Sequence, residues 1–115
     1  NPKDCLILTA KDKIAKLLSD PKTIWGKTPE QLKTLFEQAG FTVKIRPSNQ
    51  GGKGTFLEIR PETSGINLIE VHPGGGEHGG AYYKISSPSR PGGVRIVDRN
   101  TFMPNGVGGT IVYIN

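Results

Sequence analysis

The sequence predicts an α+β fold, in which N-terminal helices pack on one face of a twisted antiparallel β-sheet. Residues 1–50 hold only two of the 16 glycines and carry apolar side chains at helical spacing. Residues 51–115 hold the other fourteen glycines, which separate short runs of alternating apolar and polar residues. Helices followed by strands are typical of α+β domains, whose sheets often keep one face open to solvent. We therefore expect the functional site on that open face.

The first predicted helix ends near Asp20 and Pro21. Thr9 and Asp12 resemble a capping box, and Asp4 marks an alternative, earlier start. The apolar stripe of this helix comprises Ile14, Leu17 and Leu18.

The second predicted helix has both a start signal and a stop signal. Thr28 is a good N-cap, Pro29 fits the first helical position, and Gln31 can reach back to the cap. Gly40 ends the helix. The apolar positions between these signals share one helical face and are Leu32, Leu35, Phe36 and Ala39.

The rest of the sequence predicts β-strands. Apolar residues alternate with polar ones from Phe41 to Ile45 before Pro47 ends the run. Similar runs follow at residues 55–60, 66–72, 81–86, 94–98 and 110–113. Because the connections contain tight-turn residues, we expect neighbouring strands to pair antiparallel.

Composition limits the kind of protein. A length of 115 residues predicts one domain, residues 1–115. The net charge of +5 predicts a basic surface that suits RNA. No apolar run approaches the roughly 20 residues of a membrane-spanning helix, so we expect no membrane span. Cys5 is the single cysteine and is predicted to be a small buried hydrophobe. We predict no cofactor, and the absence of an initiating Met suggests a piece of a longer protein.

Both histidines lie in one glycine-rich segment, residues 72–84. Histidine has an unperturbed pKa of about 6.5, so it transfers protons near neutral pH. Two such groups and a cation suit metal-free RNA cleavage, because one removes the 2′-hydroxyl proton, another protonates the leaving 5′-oxygen and the cation stabilises charge on phosphorus. We predict His78 as general base or acid, His72 as its counterpart and Lys84 as the cation.

Strand alternation places two of these groups, His72 and Lys84, on one face. Lys84 shares a face with Tyr82, and His72 shares a face with Glu70, so His72 and Lys84 are expected to converge. The competing interpretation is that a glycine-flanked histidine is a solvated turn residue and that the lysine only adds solubility.

Five further residues are candidate contacts to RNA. Arg60 and Arg95 are predicted to hold phosphates, although cross-strand pairing with glutamates explains them equally well. Tyr82 and Tyr113 are candidates for stacking on unpaired bases, or are half-buried sheet residues. Thr110 is a candidate hydrogen-bond donor to phosphate, or simply a strand former.

Other chemistries fit poorly. Residues 51–55 (GGKGT) resemble a phosphate loop, but a strand follows where the Walker motif needs a helix. His72, Glu77 and His78 do not have the spacing of a zinc ligand set. A metal-dependent DNase is therefore disfavoured.

The segment HPGGGEHGGAYYKIS, with GKTPEQLKTLFEQAGFTVKIRPS before it and a terminal GTIVYIN, resembles the C-terminal toxin domains of bacterial polymorphic toxins. These include the toxins of contact-dependent growth inhibition, many of which belong to the barnase, EndoU, colicin and RelE-like ribonucleases. His72, His78 and Lys84 match in type the two histidines and lysine of EndoU-type members.

The resemblance implies helices on one side of an antiparallel sheet and metal-independent RNA cleavage, often of tRNA, to a 2′,3′-cyclic phosphate. It also implies export within a larger secreted or cell-surface protein, action in the target-cell cytoplasm, a cognate acidic immunity protein and, in some systems, a host factor. The alternatives are a nonenzymatic RNA-binding module and a protein-interaction domain with a glycine-rich edge.

Overall fold

The computed structural model describes residues 2–47, 54–62, 65–74, 79–103 and 108–115. Two helices pack against a six-stranded, mostly antiparallel sheet, which confirms the predicted α+β class. The helical segments are α1 (Pro2–Ser19), a 3-10 turn (Pro21–Ile24) and α2 (Pro29–Gln38). The strands are β1 (Thr42–Pro47), β2 (Thr55–Arg60), β3 (Leu68–His72), β4 (Tyr82–Ser87), β5 (Arg90–Val97) and β6 (Thr110–Tyr113).

The predicted signals of α2 are confirmed. The Gln31 amide donates to the Thr28 hydroxyl at 3.1 Å, and the Gln31 side chain accepts from the Thr28 amide at 2.9 Å. Gly40 follows the helix with a φ of +98°, a conformation that glycine adopts without strain.

Helix α1 begins at Pro2, two residues before the earlier predicted start at Asp4, and the predicted start at Thr9 is wrong. Thr9 lies within the helix, where its hydroxyl donates to the Cys5 carbonyl at 2.9 Å. The prediction that Cys5 is buried is wrong, because its side chain is exposed. The part of α1 that reaches the core lies further along the helix, at Ala10, Ile14 and Leu17.

The strands follow chain order across the sheet, from β1 to β6. The first four pairings are antiparallel, as predicted, but β6 runs parallel to β5. This last pairing corrects the expectation of a wholly antiparallel sheet. A parallel neighbour needs a long crossover connection, and residues 98–109 supply the length.

The two faces of the sheet differ in character. One face packs against the helices and carries core residues from every central strand, including Leu57, Ile59, Ile69, Ile85 and Ile96. The other face is open and carries charged and aromatic side chains. Among the residues described, the buried core contains no charged side chain, and its one polar side-chain group is the Tyr83 hydroxyl. No described helix is long and apolar enough to cross a membrane.

Tyr83 ties the helical layer to the middle of the sheet. Its side chain is buried, and its hydroxyl donates to the Lys27 carbonyl at 2.7 Å and accepts from the Gly26 amide at 3.1 Å. Trp25 packs on the Tyr83 ring with 5.6 Å between ring centroids. Burial raises the pKa of Tyr83 because the phenolate form loses hydration. The tyrosine therefore remains a neutral hydrogen-bond donor inside the fold.

Candidate active site

The central strands gather charged side chains on the open face. Glu70 on β3 pairs in register with Lys84 on β4, which pairs with Arg95 on β5. His72 and Tyr82 face each other in the adjacent row. The face predicted for these residues from strand alternation is confirmed, and His72 and Lys84 converge on the carboxylate between them.

Glu70 is at the centre of this cluster. Its Oε1 lies 3.0 Å from His72 Nε2, and its Oε2 lies 3.7 Å from Lys84 Nζ. The side chains are largely enclosed, with exposed fractions of 14% for Glu70, 20% for His72 and 21% for Lys84. Partial burial strengthens charge interactions relative to those in water.

The cationic neighbours keep Glu70 ionised. Burial is the largest single influence on this carboxyl and by itself raises its pKa. The hydrogen bond to His72 and the charges of Lys84, His72 and Arg95 act in the opposite direction and together lower the pKa below its ordinary value of 4.5. Glu70 is therefore a carboxylate at neutral pH and is able to accept a proton.

Aromatic rings fix the imidazole of His72. Tyr82 stacks on it with 4.3 Å between centroids and 13° between ring planes. Phe56 approaches edge-on at 6.2 Å. Phe102 in turn meets Tyr82 edge-on at 5.6 Å. The predicted base-stacking residue Tyr82 thus has one ring face against His72, so the structure places it as a support for the imidazole.

Lys84 and Arg95 are two like charges directly opposite each other on neighbouring strands. Such a pair is unfavourable unless an anion lies nearby. Glu70 supplies one negative charge, which leaves an excess of one positive charge over these three side chains. Arg95 is held by a hydrogen bond from Nη1 to the Gly108 carbonyl at 2.8 Å. This excess of fixed positive charge suits a bound phosphate group.

Arg60 lies outside the cluster, at the far end of β2. Its Nη1 donates to the carbonyls of Ile59 and Asn67 at 2.8 and 3.2 Å and lies 3.8 Å from a Glu62 oxygen. These contacts match the ion-pairing alternative rather than a phosphate contact at the cluster.

Tyr113 and Thr110 lie on the outer strand β6. Tyr113 is in the row of Tyr82, but the Arg99 guanidinium covers its ring at 3.9 Å. Thr110 is in register with the core residue Val94, which places it on the helix-covered side of the sheet, away from the cluster. The structure does not bring either residue to Glu70.

His78 and Glu77 lie outside the described residues, so the role predicted for His78 stays a prediction from the sequence. Elsewhere, in the described part of the chain, no three His, Cys, Asp or Glu side chains gather in a way that could hold a metal ion.

Sequence reasoning missed the part played by Glu70. Strand alternation places Glu70 outward beside His72, but the sequence by itself suggests for glutamates only pairing with arginines. The usable signal was the spacing Glu70-x-His72, which puts a carboxylate and an imidazole on one strand face.

The cluster joins an ionised carboxylate, an imidazole and two cations on one sheet face. These groups suit proton transfer at a phosphate ester. Comparison with protein-family models, with curated proteins and with solved structures finds no match to this chain, so the site's own geometry is the basis for assigning a function.

Proposed function

We propose that the open sheet face is the active site of a metal-independent endoribonuclease. The observation that carries the proposal is the Glu70 carboxylate, which contacts His72 through one oxygen and Lys84 through the other. Arg95 stands beside Lys84 and completes the charge pattern. An ionised carboxylate, an imidazole and two cations supply the base, the acid and the positive charge that RNA transphosphorylation uses.

In the proposed reaction Glu70 accepts the proton of the 2′-hydroxyl. The 2′-oxygen then attacks phosphorus, the bond from phosphorus to the 5′-oxygen breaks, and an imidazolium donates a proton to that oxygen. The products are a 2′,3′-cyclic phosphate and a free 5′-hydroxyl. His72 is the imidazole next to Glu70, and His78 is the alternative donor predicted from the sequence.

Lys84 and Arg95 are proposed to hold the phosphate. The Lys84 ammonium lies 3.7 Å from Glu70, which is a loose ion pair that a phosphate oxygen can replace. The cationic side chains then stabilise charge that develops on phosphorus, and Glu70 is left free on that side to receive the proton.

The resemblance to toxin domains supports two further proposals. The substrate is a tRNA, and a cognate acidic immunity protein blocks the site by covering Lys84 and Arg95 with carboxylates. A like-charged cation pair on an open face is complementary to an acidic partner.

Incubation of the purified domain with total bacterial RNA and a chelator tests the enzymatic proposal. Wild type is expected to give discrete fragments with cyclic-phosphate ends. His72→Ala and His78→Ala, each checked for folding by circular dichroism, identify the donor, because loss of the acid costs about 100-fold or more in rate. Intact RNA with folded wild-type protein contradicts the proposal.

One observation favours a second function, nonenzymatic RNA binding. Both oxygens of Glu70 already have partners. This is also the pattern of an ion-pair network that stabilises the sheet and transfers no proton. A binding module would retard RNA in a native gel, lose affinity with salt and leave the RNA uncut.

A further inference from the structure

The imidazole of His72 rests against a residue that has no side chain. Thr55 of β2 pairs with Val71 of β3, so Gly54, the residue just before β2, lies beside His72. Gly54 is buried. A Cβ atom placed on Gly54 would lie 2.9 Å from Nδ1 and 3.2 Å from Cε1 of His72, which is closer than such atoms pack.

The backbone does not explain this glycine. Eight glycines of the described chain have φ values between +67° and +98°, where other residues are strained, and Gly54 is not one of them. Gly93 is instructive by contrast. A Cβ there would lie 3.2 Å from Lys84 Cε, but its φ of +67° already requires glycine. At Gly54 the imidazole is the obstacle to a side chain.

The imidazole has little freedom to make room. Tyr82 covers one of its faces, Phe56 lies at its edge, and Nε2 is held by Glu70. A methyl group at position 54 therefore displaces the ring, and the displacement breaks the 3.0 Å contact to Glu70 or the stack on Tyr82.

We propose that Gly54 is a positioning residue of the site, whose missing side chain creates the space in which His72 reaches Glu70. The consequence for RNA cleavage rests on the proposed function. The consequence for the position of the imidazole does not, so the two can be tested separately.

A double-mutant cycle of Gly54→Ala and His72→Ala tests the positioning role without any substrate. Alanine at position 54 is expected to lower the melting temperature of wild type but to leave that of His72→Ala unchanged or higher, because the ring is gone and alanine suits a strand better than glycine. A second readout is the imidazole NMR signals of His72, assigned by their loss in His72→Ala, which are expected to shift in Gly54→Ala.

Equal destabilisation by Gly54→Ala in both backgrounds would overturn the proposal, because the alanine would then act on something other than His72. Unchanged His72 signals in Gly54→Ala would also overturn it. If Gly54→Ala alone fails to fold, a folded double variant supports the proposal, and an unfolded double variant contradicts it.

The activity arm uses the same four proteins on bacterial RNA with a chelator. Gly54→Ala is expected to cut at least tenfold more slowly than wild type and to add no further loss to His72→Ala. A normal rate in Gly54→Ala overturns the link to catalysis. If wild type does not cut RNA at all, the ribonuclease proposal fails while the melting and NMR results still decide the role of Gly54.

Discussion

The proposed chemistry depends on one carboxylate that is largely withdrawn from water, Glu70. Glu70 has a hydrogen-bonded imidazole at one oxygen and an ammonium group at the other, and only 14% of its side chain is exposed. Its ionised form is favoured by these partners, which makes Glu70 both a proton acceptor and a contributor to stability.

Glu70→Gln is expected to reduce the acid sensitivity of the fold. His72, Lys84 and Arg95 lower the pKa of Glu70 in the folded state, so its contribution to stability is complete above the ordinary value of 4.5 and is lost as the pH falls through the folded-state value. Urea unfolding at a series of pH values from about 6 downward measures this. An identical loss of stability below pH 4.5 in wild type and Glu70→Gln would contradict the assignment.

Strand alternation predicts which face of the sheet a side chain is on, but it does not predict which residues lie opposite each other on neighbouring strands. The period of two put His72, Lys84 and Arg95 on one face without any structure. Register could not be predicted, so the sequence did not show that Thr110 lies with Val94 on the other side of the sheet. The sequence alone predicts Gly54 as a loop glycine, because its contact with an imidazole on the neighbouring strand leaves no local signal.

Among the elements, α2 carries the clearest local signals, and its stability is expected to depend on its N-cap. Thr28→Ala removes the hydroxyl that accepts from the Gln31 amide and should lower the free energy of unfolding by about 1 kcal/mol. Thr34→Ala is the matched control, since Thr34 is exposed within the same helix and alanine there should stabilise by roughly 0.5 kcal/mol. Equal changes in the free energy of unfolding for Thr28→Ala and Thr34→Ala would contradict the capping role of Thr28.

The link between the helical layer and β4 is expected to depend on one hydroxyl. Tyr83→Phe leaves the Gly26 amide and the Lys27 carbonyl without their partner and should cost about 1–2 kcal/mol of unfolding free energy in urea. The ring remains in place against Trp25, so the far-ultraviolet circular dichroism should not change. A cost below about 0.3 kcal/mol would show that water replaces these bonds.

Most element boundaries followed from capping residues and from alternation, because both signals are local. The direction of β6 did not. Whether a final strand adds parallel or antiparallel depends on the path of residues 98–109, and neither composition nor periodicity specifies that path.

For the whole molecule, the two sheet faces differ in character, and we propose a different role for each. The helix-covered face supplies the core, and the open face holds the charges that we assign to RNA. Substitutions on the open face should therefore change RNA binding and cleavage more than folding.

RNA affinity is expected to fall as the salt concentration rises. The steepness of that fall should depend on the cationic side chains of the open face. Lys84→Gln removes one proposed phosphate contact and should reduce the slope of log affinity against log salt by about 0.7 for single-stranded RNA. Lys33→Gln is the control, because Lys33 lies on α2 and pairs with Glu37 at 3.6 Å. A larger change from Lys33→Gln than from Lys84→Gln would place the RNA on the helices.

The most direct test of the ribonuclease assignment compares two glutamates of the same face. Glu58 is bonded to Arg46 at 2.7 Å and lies outside the cluster of His72 and Lys84. With bacterial tRNA and a chelator, Glu70→Gln is predicted to slow formation of cyclic-phosphate ends by about 100-fold or more, and Glu58→Gln to remain within about twofold of wild type. Cleavage by folded Glu70→Gln at the wild-type rate would contradict the account.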